Sequence, residues 1–426
     1  MKTIFVTSYL HFPPSSGPFL RTESVIKALS KYSEVIVYSL NTKDSIGGNI
    51  AIGFYKNYTK KVFFAPSTRK KFFVLLKRII NKISKIIFNK HIYNIDNRKN
   101  DIKFLIKVAK KLRVDVIWLG FGGTLYDYLK IIKESSNFKV VVDTDSVWSR
   151  FILRGLPYEK DDHMRSKIES AGKLKEEEER WGAIIADITT AVSEVDAEYF
   201  RSFLKYKEKV QILSNVLDLK NYEINISEPL GFKKPSIFFA GSFGIYSPMN
   251  DAAKWFVEYI FPIVKDSIPD VHFYIIGSGS DTTLKYINDP NISILGRVDS
   301  VLPYLCNTDV AVVPLRFESG TRFKILEAGA CKKPVVSTTL GAEGIPVTNN
   351  HDIIIADDEK DFAKGIIKII EDKHYAEIIA GNLYKLVKEK FTIENLENEM
   401  SVIISELNKE KVAIKSYNLQ FYKERL

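Results

Sequence analysis

The sequence is poor in the residues that build disulfide frameworks and metal centres. Its 426 residues include only two cysteines, Cys306 and Cys331, which excludes a disulfide scaffold and cysteine-rich zinc motifs. The six histidines are scattered without the spacing of metal ligands. Both cysteines fall in or at the end of predicted helices, where we interpret them as small, buried or half-buried packing residues. We therefore expect no metal ion.

Long apolar runs are also absent. No stretch of about 18 apolar residues occurs, so the sequence predicts no membrane-spanning helix. The apolar start, residues 1–6, is short and is followed by His11-Phe12-Pro13-Pro14, without the small-residue cleavage site of a secretion signal. We interpret this start as a first β-strand and expect the protein to be cytoplasmic.

Acidic residues are nearly missing from residues 56–99, which contain thirteen lysines and arginines and one acid, Asp96. Within this basic segment, cations alternate with Phe, Leu and Ile at helical spacing. One interpretation is an amphipathic helix on an anionic membrane surface, with the protein peripheral at the inner face of the membrane. The other is a core-packed helix whose outer face is solvated by lysines. No nucleic-acid-binding motif is present, so we expect no nucleic-acid partner.

Apolar, β-branched runs alternate with helical segments along the whole chain. The runs are continuous rather than alternating with polar residues, which is typical of parallel strands covered on both faces. The βαβα order predicts an α/β fold with doubly wound sheets. The twelve predicted strands are "KTIFVTSY", "EVIVYSL", "DVIWLGF", "KVVVDTD", "DITTAVS", "VQILSN", "SIFFAGS", "VHFYIIGS", "ISILGRV", "VAVVPL", "KPVVSTT" and "HDIIIA".

The series restarts once, after a polar segment near residues 215–235 that contains prolines and glycine and is typical of a linker. We therefore predict two Rossmann-like domains facing each other across a cleft. The predicted boundaries are 1–215 for the N-terminal domain and 216–400 for the C-terminal domain. Residues 401–426 are predicted to form a helical tail that packs back on the N-terminal domain. Ligands of such sheets bind beyond the carboxyl ends of the strands, so the cleft is the expected site.

The stretch from Pro314 to Ile345, "PLRFESGTRFKILEAGACKKPVVSTTLGAEGI", combines a strand end, a glycine turn and a helix. Gly320 allows close approach of a ligand or of another backbone segment. Ser319 or Thr321 is expected to cap the helix, whose free N–H groups would attract an anion. Arg316, Arg322 and Lys324 add positive charge suited to a diphosphate. A carboxylate such as Glu327 is costly to bury without a partner, and the vicinal hydroxyls of a ribose are one such partner.

These residues resemble the donor-binding signature of glycosyltransferase family 4, the retaining enzymes of the GT-B fold. The branch it is similar to has a glycine-rich turn, then Thr-Arg-x-Lys, then Leu-Glu-Ala. The resemblance extends over nearly the whole chain and is weakest near residues 45–110. It implies a nucleotide-sugar donor, with UDP or GDP as the nucleotide, and no bound cofactor. The residues that it assigns to donor binding are Gly17, Gly320, Thr321, Arg322, Lys324 and Glu327. The Arg and Lys that the family usually has after the first strand of the donor domain are absent here, so we add Arg316 as a phosphate-binding candidate, with Gly241 and Ser242 of that loop.

Two departures from the family pattern affect the residues expected at the transferred sugar. The first glutamate of the family's Glu-x7-Glu motif falls on Ser319, with Glu318 adjacent, and the family's histidine after the strand "KVVV" is replaced by Asp145. We therefore name Asp145, Glu318 and Ser319 as the catalytic candidates. The run Asp143-Thr144-Asp145 also matches the metal-binding Asp-x-Asp of a different transferase fold, although that fold lacks two Rossmann-like halves.

The resemblance predicts a retaining hexosyltransferase that moves a sugar from a nucleotide-sugar donor to a glycan, lipid-linked or protein acceptor. One alternative is a nucleotide-sugar epimerase, for which Glu318, Asp145 and His11 are the acid–base candidates. The other is a donor-binding homologue without activity, which the changes at Ser319 and Asp145 favour. The acidic run from Lys173 to Gly182 we interpret as a solvated helix face.

Overall fold

The computed structural model describes residues 1–14, 16–69, 98–222, 226–244 and 247–409. Its strands form two parallel sheets. All twelve predicted strands are present, together with one that was not predicted. The strands are β1 (Lys2–Thr7), β2 (Glu34–Ser39), β3 (Lys61–Phe64), β4 (Val116–Gly120), β5 (Lys139–Asp143), β6 (Ile188–Ala191), β7 (Val210–Ile212), β8 (Ser236–Ala240), β9 (His272–Ile276), β10 (Ile292–Gly296), β11 (Val310–Val313), β12 (Val335–Ser337) and β13 (Ile354–Ile355).

Helices connect the strands and cover both sheets. The α-helices of the described residues are α1 (Gly17–Ser30), α2 (Gly48–Tyr55), α3 (Pro66–Arg69), α4 (Arg98–Leu112), α5 (Tyr126–Ser135), α6 (Trp148–Leu153), α7 (Asp162–Ile185), α8 (Glu194–Arg201), α9 (Pro248–Trp255), α10 (Phe261–Ser267), α11 (Ser280–Thr283), α12 (Leu302–Asn307), α13 (Phe323–Ala330), α14 (Thr339–Ala342), α15 (Glu359–Glu371), α16 (Lys373–Lys390) and α17 (Ile393–Asn408). A π-helical turn, Phe256–Ile260, joins α9 to α10. Single 3₁₀ turns lie at Asp44–Ile46, Gly122–Thr124, Leu156–Tyr158, Lys207–Lys209 and Leu219–Asn221.

The first sheet has seven strands in the order β3-β2-β1-β4-β5-β6-β7. Its central strands are apolar on both faces because helices cover both sides, and Phe5 of β1 stacks on Trp118 of β4 in the core below α1. The unpredicted strand β3 is the edge strand, where pairing is one-sided and lysine is common. Its four residues begin with the exposed Lys61, so neither its length nor its polarity indicates a buried strand.

The second sheet has six strands in the order β10-β9-β8-β11-β12-β13. This order runs outward in both directions from β8 and β11, so the connections on the two sides of that pair leave on opposite faces of the sheet. The carboxyl ends of β8 and β11 therefore splay apart and leave a crevice, which is where open α/β sheets bind ligands. The first sheet has its corresponding reversal between β1 and β4.

Helix α17 returns to the first sheet after the second is complete. Its buried residues, among them Leu396, Met400 and Ile403, join the core that contains Phe5 and Trp118. The preceding helix, α16, instead packs against α13, where Leu383 and Val387 contact the face around Gly329. The chain thus crosses between the sheets twice. Residues 410–426, on which part of the predicted tail falls, lie outside the described residues.

Helix α7 contains the acidic run, and one of its glutamates corrects our interpretation of that run as a solvated face. Glu179 is fully buried and accepts hydrogen bonds from Ser149 and Tyr199. Burial raises the pKa of Glu179. Its neighbour Glu178 does pair with Lys175 along the helix, as the spacing predicts. Three donor groups, two of them from Ser149, therefore hold one carboxylate of this helix inside the domain.

The basic segment lies mostly outside the described residues, since residues 70–97 are not among them. Its predicted amphipathic helix therefore stays a prediction. Within the parts of the chain that the structure does describe, no helix is long and apolar enough to cross a membrane.

Candidate functional site

The loops that follow β8 and β11, together with α13, carry most of the residues predicted to bind the donor. The chain leaves β8 through Gly241 and Ser242, and it leaves β11 through Arg316 and the following turn. Met249 connects the two sides: a Cβ atom placed on Gly241 would lie 2.6 Å from its sulfur, and that sulfur lies 2.8 Å from Lys324 Nζ. The two loops that sequence reasoning treated separately thus border one crevice.

Residues 316–322, which we call the donor loop, lie directly against the first domain. Ser319 Oγ accepts a hydrogen bond from the backbone N–H of Val147 at 3.2 Å. Thr321 Oγ1 donates to the carbonyl of Val192 at 3.3 Å, and the carbonyl of Thr321 accepts from Asn215 Nδ2 at 3.4 Å. We call this contact the seam. The donor loop is therefore both a wall of the crevice and the surface that joins the two domains.

Gly320 occupies the tightest point of the seam. Its backbone is left-handed, with φ of +81°, and a Cβ atom there would lie only 2.6 Å from the carbonyl oxygen of Asp145. Both features require glycine, because other residues rarely adopt this φ and backbone atoms cannot give way as side chains do. The glycine predicted to allow close approach is thus in contact with the first domain.

Substituting Gly320 with alanine is expected to destabilise the protein more than the same change at Gly48. Gly48 also has a positive φ, +65°, but a Cβ atom placed on it would have no neighbour within 4 Å, so Gly48→Ala costs only backbone strain, about 1 kcal/mol. Gly320→Ala adds the contact with Asp145 and should cost about 3 kcal/mol. Urea unfolding measures both free energies, and small-angle X-ray scattering checks for domain separation. Equal losses in the two variants would contradict the role of the seam.

The start of α13 differs from the prediction. We expected Ser319 or Thr321 to cap this helix, but it begins at Phe323 with Arg322 as the N-cap, and no side chain caps it. The reason is tertiary: both hydroxyls are used across the seam. Arg322 is 5% exposed, donates through Nη2 to the carbonyl of Leu340, and leaves Nε and Nη1 without a hydrogen-bond partner in the described structure. Burial lowers the pKa of Arg322.

Lys324, the second residue of α13, is half-buried. Its hydrogen-bond partner among the described residues is the sulfur of Met249, a weak acceptor, and its Nζ lies 5.3 Å from the centre of the Phe239 ring. Glu318 and Glu327 act on its charge electrostatically, but neither is a hydrogen-bond partner of its Nζ among the described residues. Burial lowers the pKa of Lys324 to about 8. The crevice therefore contains a cation that no described residue neutralises by direct contact.

Glu327 lies one turn further along α13, and its Oε1 accepts a hydrogen bond from the hydroxyl of Tyr222 at 3.0 Å. Burial raises the pKa of Glu327, and burial together with the neighbouring carboxylate raises the pKa of Tyr222. The partner that the sequence required for this carboxylate thus includes a protein group from the linker. One bond to Oε1 leaves the carboxylate with further acceptor capacity.

The first domain places Gly17 and Asp145 at the opposite side of the seam. A Cβ atom on Gly17 would lie 2.8 Å from the ring of Phe323, so the start of α1 meets the start of α13. Asp145 Oδ1 accepts a hydrogen bond from Trp148 Nε1 at 3.3 Å. Burial raises the pKa of Asp145 to about 6, against the opposing effect of Arg21. Asp145 is thus partly protonated in mildly acidic solution.

His11, the third acid–base candidate of the epimerase alternative, forms its hydrogen bond within its own loop. Its Nδ1 lies 2.8 Å from the carbonyl oxygen of Pro13, within its own loop. The Asp-x-Asp interpretation also fails on geometry, since Asp143 is 1% exposed and is held by Arg21, Thr190 and Trp118. In the described residues no group of three His, Cys, Asp or Glu side chains could hold a metal ion.

Arg316 and Glu318, two residues of the donor loop predicted to lie at the site, form contacts with other protein groups. Arg316 forms a two-bond pair with Asp251, and its guanidinium lies 4.4 Å from the centre of the Tyr158 ring. The carbonyl of Glu318 accepts from Arg154, and its own Oε1 accepts from the backbone N–H of Ser319. Arg316 is therefore held by Asp251 of α9 in its own domain and also contacts Tyr158 of the first domain, rather than standing free in the crevice.

Sequence reasoning missed two pairs that shape the site. Arg154 donates to both carboxylate oxygens of Glu343, at 2.6 and 2.8 Å, and so links the first domain to the end of α14. Tyr222 holds Glu327 from a polar linker. Neither pair has a local signal, because the partners are 189 and 105 residues apart. Glu343 lies within the family-like stretch 314–345, which was the one available indication.

The second half of the chain is similar in sequence to known glycosyltransferases. Residues 234–372, which include the donor loop and α13, match the family model of glycosyl transferases group 1. An uncharacterized glycosyltransferase of Methanocaldococcus jannaschii is 27% identical over 229 residues, which cover 49% of this chain and 63% of the relative. The curated relatives are matched over 42% to 63% of their length, so the chain spans about half of the relatives that it matches.

Solved structures match over nearly the whole chain. HepE of Anabaena in complex with UDP covers 95% of this chain and 100% of its own, with a TM-score of 0.64 and 14% identity. Sucrose-phosphate synthase of Thermosynechococcus elongatus covers 96% and 99%, with a TM-score of 0.66 and 14% identity. Such similarity shows the fold. The predicted fold class is confirmed: the chain has the GT-B fold, and its second sheet and donor loop lie in the part that matches glycosyl transferases group 1.

Proposed function

We propose that the protein transfers a sugar from a nucleotide-sugar donor to an acceptor hydroxyl, with the donor diphosphate bound at Lys324. The observation that carries this proposal is the half-buried ammonium of Lys324, which among the described residues has only a thioether sulfur as its hydrogen-bond partner. A cation that is shielded from water without a carboxylate in contact is costly, and a diphosphate would supply an anion in direct contact with it. The match of residues 234–372 to glycosyl transferases group 1 supports this assignment.

Charge stabilisation is the main catalytic contribution expected from these residues. As the bond to the sugar breaks, negative charge develops on the departing diphosphate, and a fixed cation beside it lowers the barrier. A pKa of about 8 keeps Lys324 mostly protonated at neutral pH, and a bound phosphate would raise that pKa further. We propose that transfer occurs with retention of the anomeric configuration, as the resemblance of residues 314–345 implies, and that the sugar is a hexose.

Glu327 is proposed to accept the hydroxyls of the donor's ribose. Tyr222 holds one carboxylate oxygen, which fixes the rotamer and leaves acceptor positions for a diol. Asp145 lies across the seam, where the family has a histidine near the transferred sugar. We propose that Asp145, Glu318 and Ser319 surround the sugar and that Gly17, Gly241, Ser242, Gly320 and Thr321 line the diphosphate.

Replacing Glu327 with glutamine is expected to weaken nucleotide binding about 10- to 100-fold, because hydrogen bonds to a charged acceptor contribute about 1.5–3 kcal/mol. Tyr222→Phe should weaken it less, by roughly 3- to 10-fold, since the carboxylate stays but is no longer held. Isothermal titration with UDP and GDP measures both. Glu389→Gln, on α16 and 57% exposed, serves as the control carboxylate. Wild-type affinity in Glu327→Gln would remove the ribose assignment.

The acceptor side of the proposal rests on the basic segment, residues 56–99. Its thirteen cations favour an anionic membrane surface, and a lipid-linked glycan or lipid acceptor would follow from that contact. A soluble glycan or protein acceptor follows if the segment is a solvated face. We propose that the protein is cytoplasmic and peripheral to the membrane. Flotation with liposomes that contain or lack anionic lipid distinguishes membrane binding from a solvated basic face.

The transfer itself is tested with a panel of nucleotide sugars and acceptor extracts, followed by mass spectrometry of the products. Formation of a glycosylated product, with its anomeric configuration read by NMR, would support the proposal. Solvent deuterium in the recovered donor sugar would indicate an epimerase instead. Tight nucleotide binding without turnover on any acceptor would indicate a donor-binding homologue.

A further inference from the structure

The two cysteines of the chain, interpreted from the sequence as separate packing residues, face each other in the structure. Cys306 lies on α12 and Cys331 directly follows α13, and their sulfur atoms are 3.4 Å apart. Both side chains are partly exposed. Disulfide bonds measure about 2.05 Å, so the sulfurs need to approach by only about 1.4 Å. Cys306 sits in a short helix of six residues and Cys331 at a helix end, where such a shift is easily absorbed.

The pair also has the chemistry of a reactive dithiol. The contact with Cys331 lowers the pKa of Cys306 to about 7, with the nearby Lys333 acting in the same direction. A thiolate is the nucleophilic form of cysteine, and Cys306 therefore carries a substantial thiolate fraction at neutral pH. Cys331, whose pKa is raised by the same contact, stays a thiol. A nucleophilic thiolate beside a second thiol is the arrangement in which a first oxidation product is captured at once.

We propose that Cys306 and Cys331 form a redox-active dithiol that closes to an intramolecular disulfide when a peroxide oxidises it. The Cys306 thiolate attacks one oxygen of hydrogen peroxide, the O–O bond breaks, and hydroxide leaves, which gives a sulfenic acid. Cys331 then attacks the sulfenic sulfur, the S–S bond forms, and water leaves. Overall two thiols and one peroxide give one disulfide and two waters, with the cysteines oxidised by two electrons.

The position of the pair determines what the disulfide would hold together. Cys306 and Cys331 are 25 positions apart, and the intervening chain contains β11, the donor loop and α13. The backbone N–H of Cys331 also donates to the carbonyl of Glu327. The bond would thus fasten both ends of the segment that forms one wall of the crevice. Closing a loop lowers the entropy of the unfolded chain, so the oxidised protein should be the more stable form.

The experiment treats the purified full-length protein with one equivalent of hydrogen peroxide, then with maleimide, and measures the intact mass. We expect the loss of two hydrogens and no maleimide adduct, two adducts after reduction with dithiothreitol, and a linked Cys306–Cys331 peptide after trypsin digestion. Thermal unfolding should occur at higher temperature in the oxidised sample. Because these measurements use no nucleotide, their outcome is independent of the proposed transferase activity.

Cys331→Ser is the informative variant, since it keeps the nucleophile and removes the thiol that captures the sulfenic acid. We expect it to gain one or more oxygen atoms at Cys306 instead of forming a disulfide, and to show no peroxide-dependent stabilisation. Cys306→Ser lacks the nucleophile and should react with peroxide more slowly than the wild type and than Cys331→Ser. Two free thiols in the treated wild type, oxygen adducts in place of the disulfide, or disulfide-linked dimers on a non-reducing gel would each overturn the proposal.

Discussion

Lys324→Met is expected to weaken the binding of a nucleoside diphosphate about 10- to 100-fold while making the free protein more stable. The loss reflects one charge-assisted contact to phosphate, about 1.5–3 kcal/mol. Methionine is chosen because it keeps the length of the side chain and suits the contacts with Met249 and Phe239. A structural lysine would behave in the opposite way, since its loss would lower stability.

The expected gain in stability depends on pH in a defined direction. Burial lowers the folded-state pKa of Lys324 to about 8 from an ordinary value of 10.5. Below pH 8 the side chain is charged in both states, and the folded protein carries the full cost of burying it, at most about 3 kcal/mol. From pH 8 to about 10.5 the folded state loses this proton first, so wild-type stability rises. The advantage of Lys324→Met should therefore be largest at neutral pH and shrink above pH 8.

The control is Lys254→Met, in the same domain but 56% exposed on α9. This change should leave both nucleotide affinity and the pH dependence of stability unchanged. Isothermal titration with UDP and GDP, and urea unfolding at pH 7, 9 and 10, measure the two effects. A Lys324→Met protein that binds nucleotide as the wild type does would show that the ammonium does not bind phosphate.

Arg21→Leu is expected to cost about 3–5 kcal/mol of folding free energy, because it leaves a buried carboxylate without its counter-charge. Arg21 is 2% exposed and pairs with Asp143 at 2.6 Å, and it also donates to the carbonyls of Leu213 and Thr144 and to Asn215 Oδ1. One guanidinium thus joins the ends of β5 and β7 to the start of the linker. Arg21 itself lies on α1, so this one side chain also fixes the helix against the sheet.

Arg98→Leu is the matched control, since Arg98 also pairs with an aspartate, Asp127, but the two side chains are 59% and 36% exposed. Such surface pairs contribute about 0–1 kcal/mol. Adding Asp143→Asn to Arg21→Leu should recover part of the loss, because the orphaned charge is removed. Urea unfolding at neutral pH measures all three. Equal costs at Arg21 and Arg98 would show that the buried network does not stabilise the first domain.

Sequence patterns predicted the strands well and the contacts between domains poorly. Twelve strands were recognised because strands covered on both faces are apolar throughout, whereas β3 is short, lies at an edge and begins with a lysine. The prediction of a solvated face on α7 was wrong at Glu179. A helical run of glutamates has the same sequence pattern whether or not one of them is buried against hydrogen-bond donors such as Ser149.

The candidate site shows the same limit. The positions of Gly320, Lys324 and Glu327 on a strand–turn–helix unit follow from local sequence, and the structure places them at the reversal of strand order. The hydroxyls of Ser319 and Thr321 were predicted as helix caps because local chemistry allows it, but their partners lie 172 and 129 residues away. The packing of the two domains determines these partners, and a short sequence motif cannot predict it.

The seam around Gly320 limits which substitutions the protein can accept there. Among the described residues, four hydrogen bonds join the donor loop to the first domain when the one from Arg154 is included. In each of them one partner is a main-chain group: the N–H of Val147 or the carbonyls of Val192, Glu318 and Thr321. Replacing the hydroxyl of Ser319 or Thr321 would leave a main-chain group without that partner, at a cost of about 1–3 kcal/mol. The main chain of the first domain therefore favours polar side chains at positions 319 and 321, as it requires glycine at position 320.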